Sequence, residues 1–368
     1  MLRTNKKIAV YDFFCGCGGT SAGFNKAGLD IVFALDVDKD AAQTFKLNFP
    51  DTAFHQGDIR QLKNKNLKKV IDKYPNRYSL FCACAPCQPY TKQRTDKKRR
   101  DDRLGLLKNF LPIVEKHRPH FVFIENVPGL CKRQGRINIG HQLKYKLKKL
   151  GYEMDSNIVA AQDYGAPQIR RRFILLASRI GAIKLPEPEY GNGRGKAYRT
   201  VKDAISNMPA INAGESHPNM EDYPNHRAAM LSEKNMQRIK MIAHNGGGRL
   251  NLPSKLQLNC HKKKDNKGNL IYGGHTDVYG RLWWNRPSPG LTTRCISFSN
   301  GRYGHPEQDR AISVREAARL QGFPDDFIFT GNLNSMAKQV GNAVPVDLAL
   351  AVGRHFSEHL KKNETKAI

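Results

Sequence analysis

Short apolar runs alternate with helix-like segments along the first 180 residues of the chain. Five of these runs are almost continuously apolar, as expected of strands that are buried on both faces. Buried strands that alternate with helices are typical of a parallel sheet covered by helices on both sides. The pattern therefore predicts a doubly wound α/β domain over residues 1–180. The predicted strands are residues 8–14, 31–36, 79–84, 120–124 and 172–177, with another short strand near Phe54.

The pattern changes after Ala177. A Pro/Gly-rich link over residues 185–195 leads into turn-rich sequence with little periodicity, which continues to about Pro306. Helical periodicity returns at Ser313, where residues 313–316 match a capping box, and again over residues 346–360. We interpret residues 181–310 as a second, irregular domain inserted into the first, and residues 311–368 as a segment that returns to the first domain.

The net charge of the chain indicates the kind of partner it binds. The 368 residues include 61 Lys and Arg against 33 Asp and Glu, so the formal charge is +28 and a polyanion such as nucleic acid is the expected partner. No stretch approaches the roughly 18 apolar residues of a membrane span, and the N-terminus is too polar for a signal peptide. Eight cysteines without a signal peptide indicate reduced thiols. We therefore expect a cytoplasmic protein and exclude a secreted scaffold and a membrane protein.

A glycine-rich turn follows the first predicted strand. Residues 12–19, DFFCGCGG, let the backbone approach a ligand closely, although a tight strand-to-helix turn explains the same glycines. Asp36 ends the second strand, where a carboxylate can hold ribose hydroxyls, and Asp58 can reach an adenine amino group. A pyrophosphate cofactor favours the full G-x-G-x-x-G spacing, which is missing here. The sequence therefore favours S-adenosylmethionine over the nicotinamide cofactor of an oxidoreductase.

A cysteine between prolines follows the predicted strand 79–84. Cys87 lies in the segment APCQPYT and precedes the cationic run 92–100, which suits an exposed nucleophile near phosphates. Cys82, Cys84 and Cys87 also have metal-like spacing, together with Cys15 and Cys17. The sequence offers no matching second C-x-x-C pair, and strand cysteines behave as small hydrophobes, so we predict no metal.

Charged residues follow two further predicted strands. Glu125 lies where it can act as an acid or a hydrogen-bond partner for a substrate, or can cap the turn at Pro128. Arg170 and Arg172 face the same side if the segment is a strand, which suits a phosphate or a base oxygen. A solvated strand end explains the same arginines.

These residues together resemble the DNA (cytosine-5)-methyltransferases of bacterial restriction–modification systems. The resemblance extends from Ile8 to about Val352, interrupted only by the variable second domain. Six motifs in order carry it: Asp12-x-Phe14-x-Gly16-x-Gly18-Gly19, Pro86-Cys87-Gln88, Glu125-Asn126-Val127, Gln168-x-Arg170-x-Arg172, Arg315-Glu316-x-x-Arg319-x-Gln321-x-Phe323-Pro324 and Gly341-Asn342-Ala343-Val344-Pro345.

The resemblance implies roles for the catalytic residues. A cytosine leaves the duplex, the Cys87 thiolate attacks its C6 atom, and Glu125 holds N3 and the exocyclic amine. Arg172 contacts the extruded base, and Arg170 supports the site or a nearby phosphate.

The resemblance also assigns binding residues. Those for S-adenosylmethionine are Phe14, Gly16, Gly18, Asp36, Val37, Asp58, Ile59, Pro86, Leu106 and Asn342. We predict DNA contacts for Gln88, Lys92, Arg94, Arg99, Arg281 and Arg294, with Arg286 and Arg302 as further candidate readers of guanine.

The expected substrate is double-stranded DNA, modified by a monomer that has no stable complex with any cognate restriction endonuclease. A transfer-RNA cytosine-5 methyltransferase of the same fold is the nearest alternative, and the long segment 181–310 favours DNA, because duplex sequence needs a dedicated reader. A DNA-binding protein without catalysis is a third hypothesis, which the presence of both Cys87 and Glu125 disfavours.

Overall fold

The fold is described from a computed structural model over residues 7–85, 106–131, 139–259, 262–264, 270–272 and 276–364. The chain forms two compact units. Unit 1 comprises Met1–Tyr164, Arg171–Tyr190 and Ala343–Ile368, and unit 2 comprises Gly165–Arg170 and Gly191–Asn342. The functional domains placed at residues 1–180, 181–310 and 311–368 stay predictions, because compactness alone does not assign a function to a segment.

The elements follow one another with the alternation that the apolar pattern predicts. The strands are β1 (Ile8–Phe13), β2 (Asp30–Asp36), β3 (Ala53–Gln56), β4 (Tyr78–Ala83), β5 (Phe121–Asn126), β6 (Glu153–Ala160), β7 (Gln168–Ile169), β8 (Arg171–Ser178), β9 (Lys262–Lys264), β10 (Leu270–Tyr272) and β11 (Ser288–Pro289). The helices are α1 (Gly19–Lys26), α2 (Lys39–Asn48), α3 (Asn64–Ile71), α4 (Leu106–His117), α5 (Ile139–Lys149), α6 (Val201–Ile205), α7 (Glu233–Met241), α8 (Val314–Leu320), α9 (Leu333–Asn342) and α10 (Val346–Glu364).

Unit 1 is built on a seven-stranded sheet in the order β3-β2-β1-β4-β5-β8-β6. The strands from β3 to β5 are parallel, whereas β8 runs antiparallel to both β5 and β6. The prediction of a doubly wound α/β fold is confirmed, but the expectation of a parallel sheet is wrong at this end. The segment between β6 and β8 contains no α-helix, so the chain returns antiparallel. The sequence pattern missed β6 because this strand is polar and only partly buried.

Helices cover both faces of this sheet, because alternate residues of the central strands face opposite sides. On one face, Phe110 of α4 belongs to a core cluster with residues of β1, β4 and β5. On the other face, the ring of Phe24 in α1 packs 5.5 Å from that of Phe123. Phe356 of α10 packs 5.1 Å from Phe121 on the same strand. The helical periodicity predicted after Val346 is thus confirmed and completes the second layer of unit 1.

Unit 2 has little regular structure and is held together by buried arginines. Arg281, Arg310 and Arg315 are fully or almost fully buried, and their guanidinium groups bond to backbone carbonyls. Arg310 also forms two 2.7 Å hydrogen bonds to Glu316. Glu316 completes the capping box predicted at Ser313, which is confirmed at the start of α8. A guanidinium has five donors, so one buried side chain can bind several irregular segments together.

No helix in the described ranges is both long and apolar enough to cross a membrane.

Candidate active site

Several predicted site residues of unit 1 lie at or just beyond the carboxyl ends of β1, β2, β3 and β5, namely Phe14, Gly16, Asp36, Asp58 and Glu125. Because neighbouring parallel strands end at the same edge of a sheet, these residues share the edge where α/β enzymes bind ligands. The turn after β1 is bound to the end of β2 by two hydrogen bonds. The Cys15 N–H donates to the Leu35 carbonyl at 3.0 Å, and the Gly16 N–H donates to Oδ2 of Asp36 at 2.7 Å.

The turn exposes bare backbone at Gly16. This residue has a φ of +54°, and a Cβ built on it would meet no atom within 4 Å. Gly18 differs, because a Cβ there would lie 2.7 Å from the Phe49 ring. Phe14 also has a positive φ, of 67°. The turn therefore needs glycine at position 18 for packing, whereas the space over Gly16 is open to a ligand.

Asp36 and Val37 combine a polar and an apolar surface at the end of β2. Both carboxylate oxygens of Asp36 accept a backbone N–H, from Gly16 at 2.7 Å and from Asp38 at 2.9 Å. Burial raises the pKa of Asp36, and these hydrogen bonds partly oppose the rise. Val37 is 66% exposed. A carboxylate beside an uncovered apolar side chain could hold a ribose joined to a flat base, and the roles of Asp36 and Val37 in binding the methyl donor stay predictions.

Asp58 follows β3 and forms an ion pair with Arg60. Its carboxylate accepts hydrogen bonds from the backbone N–H of Arg60 at 2.8 Å and from the Arg60 guanidinium at 2.9 and 2.7 Å. These bonds lower the pKa of Asp58, so it is a stable anion. Ile59 beside it is buried, and the Gly57 N–H binds the Asp36 carbonyl at 3.0 Å. Adenine contacts for Asp58 and Ile59 stay predictions.

Glu125 is the second-last residue of β5 and forms an ion pair with Arg172. Arg172 Nε lies 2.8 Å from Oε1 of Glu125, and Glu125 is 7% exposed. The two strands are paired antiparallel, which brings the start of β8 to the end of β5. The structure thus joins two predicted catalytic residues that are 47 positions apart in the chain. A buried carboxylate oriented by a guanidinium can present its other oxygen to a substrate.

Asn126 connects the end of β5 to the chain just beyond β4. Its Nδ2 donates to the Ala85 carbonyl at 3.2 Å. Ala85 is followed directly by the predicted nucleophile segment. Six predicted site residues lie outside the described residues, namely Pro86, Cys87, Gln88, Lys92, Arg94 and Arg99.

Leu106 and Asn342 differ in exposure. Leu106 is the first residue of α4 and belongs to the core cluster of unit 1. Asn342 is the last residue of α9 and is exposed. The roles of both in binding the methyl donor stay predictions.

Arg170 and Arg172 do not lie on one strand, contrary to the expectation that they face the same side. β8 begins at Arg171, so Arg170 precedes it and belongs to unit 2. The Arg170 guanidinium is buried and donates to the carbonyls of Leu291 at 2.5 Å and Gly341 at 2.8 Å. Its neighbour in the motif, Gln168, donates to the Leu320 carbonyl at 2.9 Å. This part of the motif holds unit 2 together, and support of the catalytic site or of a phosphate by Arg170 stays a prediction.

The prediction that Arg281 contacts DNA is wrong. The side chain is 0% exposed, and every guanidinium nitrogen donates within unit 2, so it offers no donor to guanine. Its acceptors are the carbonyls of Ile239, Ile242, His305 and Gln308 and the carboxylate of Asp309. Arg302 is also largely buried and bonds to Asp277, whereas Arg286 and Arg294 are exposed.

Asp12 is a buried polar residue to which the sequence assigned no role. It lies within β1, and its Oδ2 accepts a 2.7 Å hydrogen bond from Ser21 in α1. Burial raises the pKa of Asp12 to about 7. A carboxyl group inside an otherwise apolar strand was the signal that could have identified it, because such a group is costly to bury without a function.

Among the described residues, no group of three or more His, Cys, Asp or Glu side chains could hold a metal ion. Cys82 is buried, and the Cys84 thiol lies 3.3 Å from the Thr20 hydroxyl.

Comparison with known proteins agrees with this geometry. The family described as C-5 cytosine-specific DNA methylase matches residues 8–358, nearly the whole chain. The chain belongs to this family. It is therefore a methyltransferase that acts on cytosine C5 in DNA and requires a methyl donor.

Bacterial relatives match over almost their full length. The Type II methylase M.HgiDII of Herpetosiphon aurantiacus is 35% identical over 96% of this chain and 95% of its own. The Type II methyltransferase M1.HphI of Haemophilus parahaemolyticus is 31% identical over 94% of this chain and 85% of its own. Among solved structures, the Dnmt2 methyltransferase of S. pombe has a TM-score of 0.62 at 19% identity, covering 96% of this chain and 99% of its own. At that identity the structural likeness shows the fold alone.

Proposed function

We propose that this enzyme is the sequence-specific modification methyltransferase of a restriction–modification system and uses S-adenosylmethionine. The observation that supports this most is the buried Glu125–Arg172 ion pair at the end of β5, next to Asn126, which binds the carbonyl of Ala85. Two residues further along the chain comes Cys87. The Type II methylases among its relatives support the same biological role.

The reaction begins with a cytosine outside the duplex, because C5 and C6 are inaccessible in the base stack. The Cys87 thiolate adds to C6 and forms a carbon–sulfur bond, while the electron pair of the C5–C6 double bond shifts to C4–C5 and that of the C4–N3 double bond shifts to N3. Glu125 binds N3 and the exocyclic amine and protonates or hydrogen-bonds N3. The ring becomes an enamine that is nucleophilic at C5. Acid assistance of this kind contributes ~10²–10⁴-fold to a rate.

Arg172 orients the acid in this scheme. Its Nε lies 2.8 Å from Oε1 of Glu125, and this contact holds the carboxyl group in one orientation at the end of β5. After C5 has been methylated, a base removes the C5 proton, the bond between C6 and the Cys87 sulfur breaks, and the C5–C6 double bond is restored. Cys87 leaves as a thiolate and N3 returns any proton it took to Glu125, so the enzyme is regenerated.

The residues at the carboxyl edge of the sheet fit S-adenosylmethionine. The open backbone at Gly16 accommodates a close ligand, Asp36 can accept from ribose hydroxyls, and exposed Val37 can pack on adenine. When bound, this donor supplies a methyl group that its sulfonium sulfur makes electrophilic. Because the donor carries no phosphate, its binding does not require the G-x-G-x-x-G motif of pyrophosphate-binding sites.

We assign the contacts with DNA bases and phosphates to exposed residues. Arg294 and Arg286 remain available to guanine or phosphate, and Lys92, Arg94 and Arg99 belong to a cationic run that suits phosphates. We propose that the protein acts as a monomer in the cytoplasm, where bacterial DNA lies, and without stable association with its endonuclease.

Transfer of a labelled methyl group from S-adenosylmethionine tests this proposal. Mixed-sequence duplex DNA, single-stranded DNA and transfer RNA are assayed in parallel. We expect label at cytosine C5 in duplex DNA, at sites that share one sequence. Label found in transfer RNA alone would identify RNA rather than DNA as the substrate. Binding of DNA without transfer of label would exclude catalysis.

A further inference from the structure

Arg286 is an exposed arginine of unit 2 whose side chain lies on a tryptophan ring. The centre of its guanidinium group is 4.9 Å from the centroid of the Trp283 ring. Of the other arginines that were candidates to contact DNA, Arg281 and Arg302 are buried. Arg294 is exposed, and no ring among the described residues supports it. Arg286 therefore combines access to a ligand with a flat support.

The Trp283 ring is itself held in place by two further contacts. The Arg302 guanidinium lies 4.0 Å from the ring centroid and is bound by Asp277 at 2.9 Å and by the Gly246 carbonyl at 2.9 Å. A Cβ on Gly246 would lie 1.7 Å from the indole nitrogen of Trp283, so only a glycine fits against this edge of the ring. The φ of Gly246 is +104°, which also favours glycine. The ring is thus a fixed support for Arg286.

Backbone hydrogen bonds hold the loop that carries Arg286. The Val201 N–H donates to the Arg286 carbonyl at 2.9 Å, and the Lys202 N–H donates to the Trp284 carbonyl at 2.9 Å. The Trp284 N–H donates to Oδ1 of Asn245 at 2.7 Å. The side chain of Arg286 is therefore constrained at both ends, at its backbone by the loop and at its guanidinium by the ring.

A guanidinium constrained in this way suits a base better than a phosphate. None of the described residues accepts a hydrogen bond from the Arg286 guanidinium. Its donors lie in one plane, and two of them match the O6 and N7 acceptors that guanine presents in the major groove. This pairing depends on orientation, and a support that fixes the orientation reduces the entropy lost on binding. A phosphate contact depends mainly on charge, which the 61 Lys and Arg residues supply without such a support.

We propose that Trp283 and Arg286 form a reading pair, in which the ring holds the Arg286 guanidinium so that it reads one guanine of the recognition sequence. That guanine belongs to a base pair other than the one that contains the modified cytosine. The inference rests on the proposed function, because only a sequence-specific enzyme needs such a reader. Arg286 is the specificity-determining residue, and Trp283 positions it. A bidentate arginine–guanine pair discriminates against other bases by roughly 10- to 100-fold.

Methylation of a pool of duplexes with randomised sequence measures the preference for each base. The pool is incubated with enzyme and S-adenosylmethionine, and the modified cytosines are located by bisulfite sequencing. The unaltered enzyme should yield one shared sequence. Arg286→Met should lower the preference for guanine in one base pair of that sequence by roughly 10- to 100-fold and leave the other positions unchanged.

A phosphate contact by Arg286 would give a different result. Arg286→Met would then weaken the binding of all sequences alike, and the slope of log affinity against log salt concentration would fall by about 1. Titration of duplex DNA at several salt concentrations measures this slope. An equal loss on every sequence would overturn the proposal.

Trp283→Leu tests the support while the charge of Arg286 is retained. We expect the preference for the same base pair to fall roughly two- to fivefold, as loss of an exposed cation–π contact predicts. The change should have no further effect in combination with Arg286→Met, because a support has no function once the reader is absent. Trp283→Phe keeps a flat ring and should retain most of the preference. Relaxation at a different base pair would show that the two residues are not a reading pair.

Arg286→Lys and Arg227→Lys form a matched comparison that leaves the Trp283 ring intact. Lysine keeps the positive charge but loses the planar fork, so Arg286→Lys should relax the same base pair even if Trp283→Leu does not fold. Arg227 is another exposed arginine of unit 2, and its replacement should leave the shared sequence unchanged.

The same assay separates failure of this inference from failure of the proposed function. An unaltered enzyme that methylates no DNA, or methylates it without a shared sequence, would refute the proposed function. A sequence-specific enzyme whose preferences survive both Arg286→Met and Arg286→Lys would refute only the reading pair.

Discussion

Glu125 shows at the level of a single residue how the fold prepares a reactive group. A carboxyl group that is almost entirely removed from water needs a polar partner to compensate for the hydrogen bonds it loses. Arg172 is that partner, at 2.8 Å, and its backbone lies on the antiparallel strand β8. In the proposed mechanism this contact holds Glu125 in one orientation, which neither residue could achieve alone.

Replacing Arg172 tests the orientation of Glu125. Arg172→Met should lower the rate of methyl transfer on the order of 10²-fold or more, because Glu125 loses its partner and its orientation toward N3. Single-turnover transfer of labelled methyl measures this rate. Arg171→Met is the control, since Arg171 is exposed, and it should retain near-normal activity. Full activity in Arg172→Met would remove Arg172 from the mechanism.

The nucleophile provides a second prediction at this scale. Cys87→Ser should abolish methyl transfer and leave DNA affinity largely intact, because a serine hydroxyl is a far weaker nucleophile than a thiolate at neutral pH. Label transfer and DNA binding are measured on the same preparation. Full transfer by this variant would contradict covalent attack by Cys87.

At the scale of elements, α8 depends on a charge buried at its start. Glu316 accepts two bonds from Arg310 and one from the backbone N–H of Ser313. These interactions outweigh burial and lower the pKa of Glu316 from 4.5 to about 2. The same carboxylate thereby caps a helix and joins it to the segment before it.

This pKa shift predicts an acid-sensitive stability. Because the folded-state pKa of Glu316 is below the unfolded value, its contribution is complete above pH 4.5 and is lost as pH falls toward about 2. Urea unfolding across this range should show a loss of a few kcal/mol in unfolding free energy. Glu316→Gln should lower stability at neutral pH and remove that part of the pH dependence. Glu233→Gln, at an exposed position of α7, should preserve it.

For the whole molecule, the charge of +28 predicts how DNA binding responds to salt. Each phosphate neutralised by Lys or Arg contributes about 0.9 to the slope of log affinity against log salt concentration, so affinity should fall steeply. Titration of a duplex at several salt concentrations measures the slope. Binding of S-adenosylhomocysteine, which carries no phosphate, is the control and should vary little. A slope near zero for DNA affinity would mean that the excess positive charge does not bind phosphates.

The amino-acid sequence by itself determined the features that depend on local pattern. Apolar runs specify the strands that precede the Gly16 turn, Asp36 and Glu125, and the spacing of Ser313 and Glu316 specifies a helix start. These features were predictable because each depends on neighbouring residues, and six short motifs in order identified the family.

Only the tertiary structure decided which distant partners those residues contact. Arg281 and Arg172 are each followed directly by apolar residues, yet one bonds to four carbonyls inside unit 2 and the other forms an ion pair with Glu125, the proposed acid. The direction of β8 and the bond from Asn126 to Ala85 likewise arise from pairing between distant segments. A side chain's role follows from the partners that folding brings to it, and those partners are set by packing of the whole chain rather than by adjacent sequence.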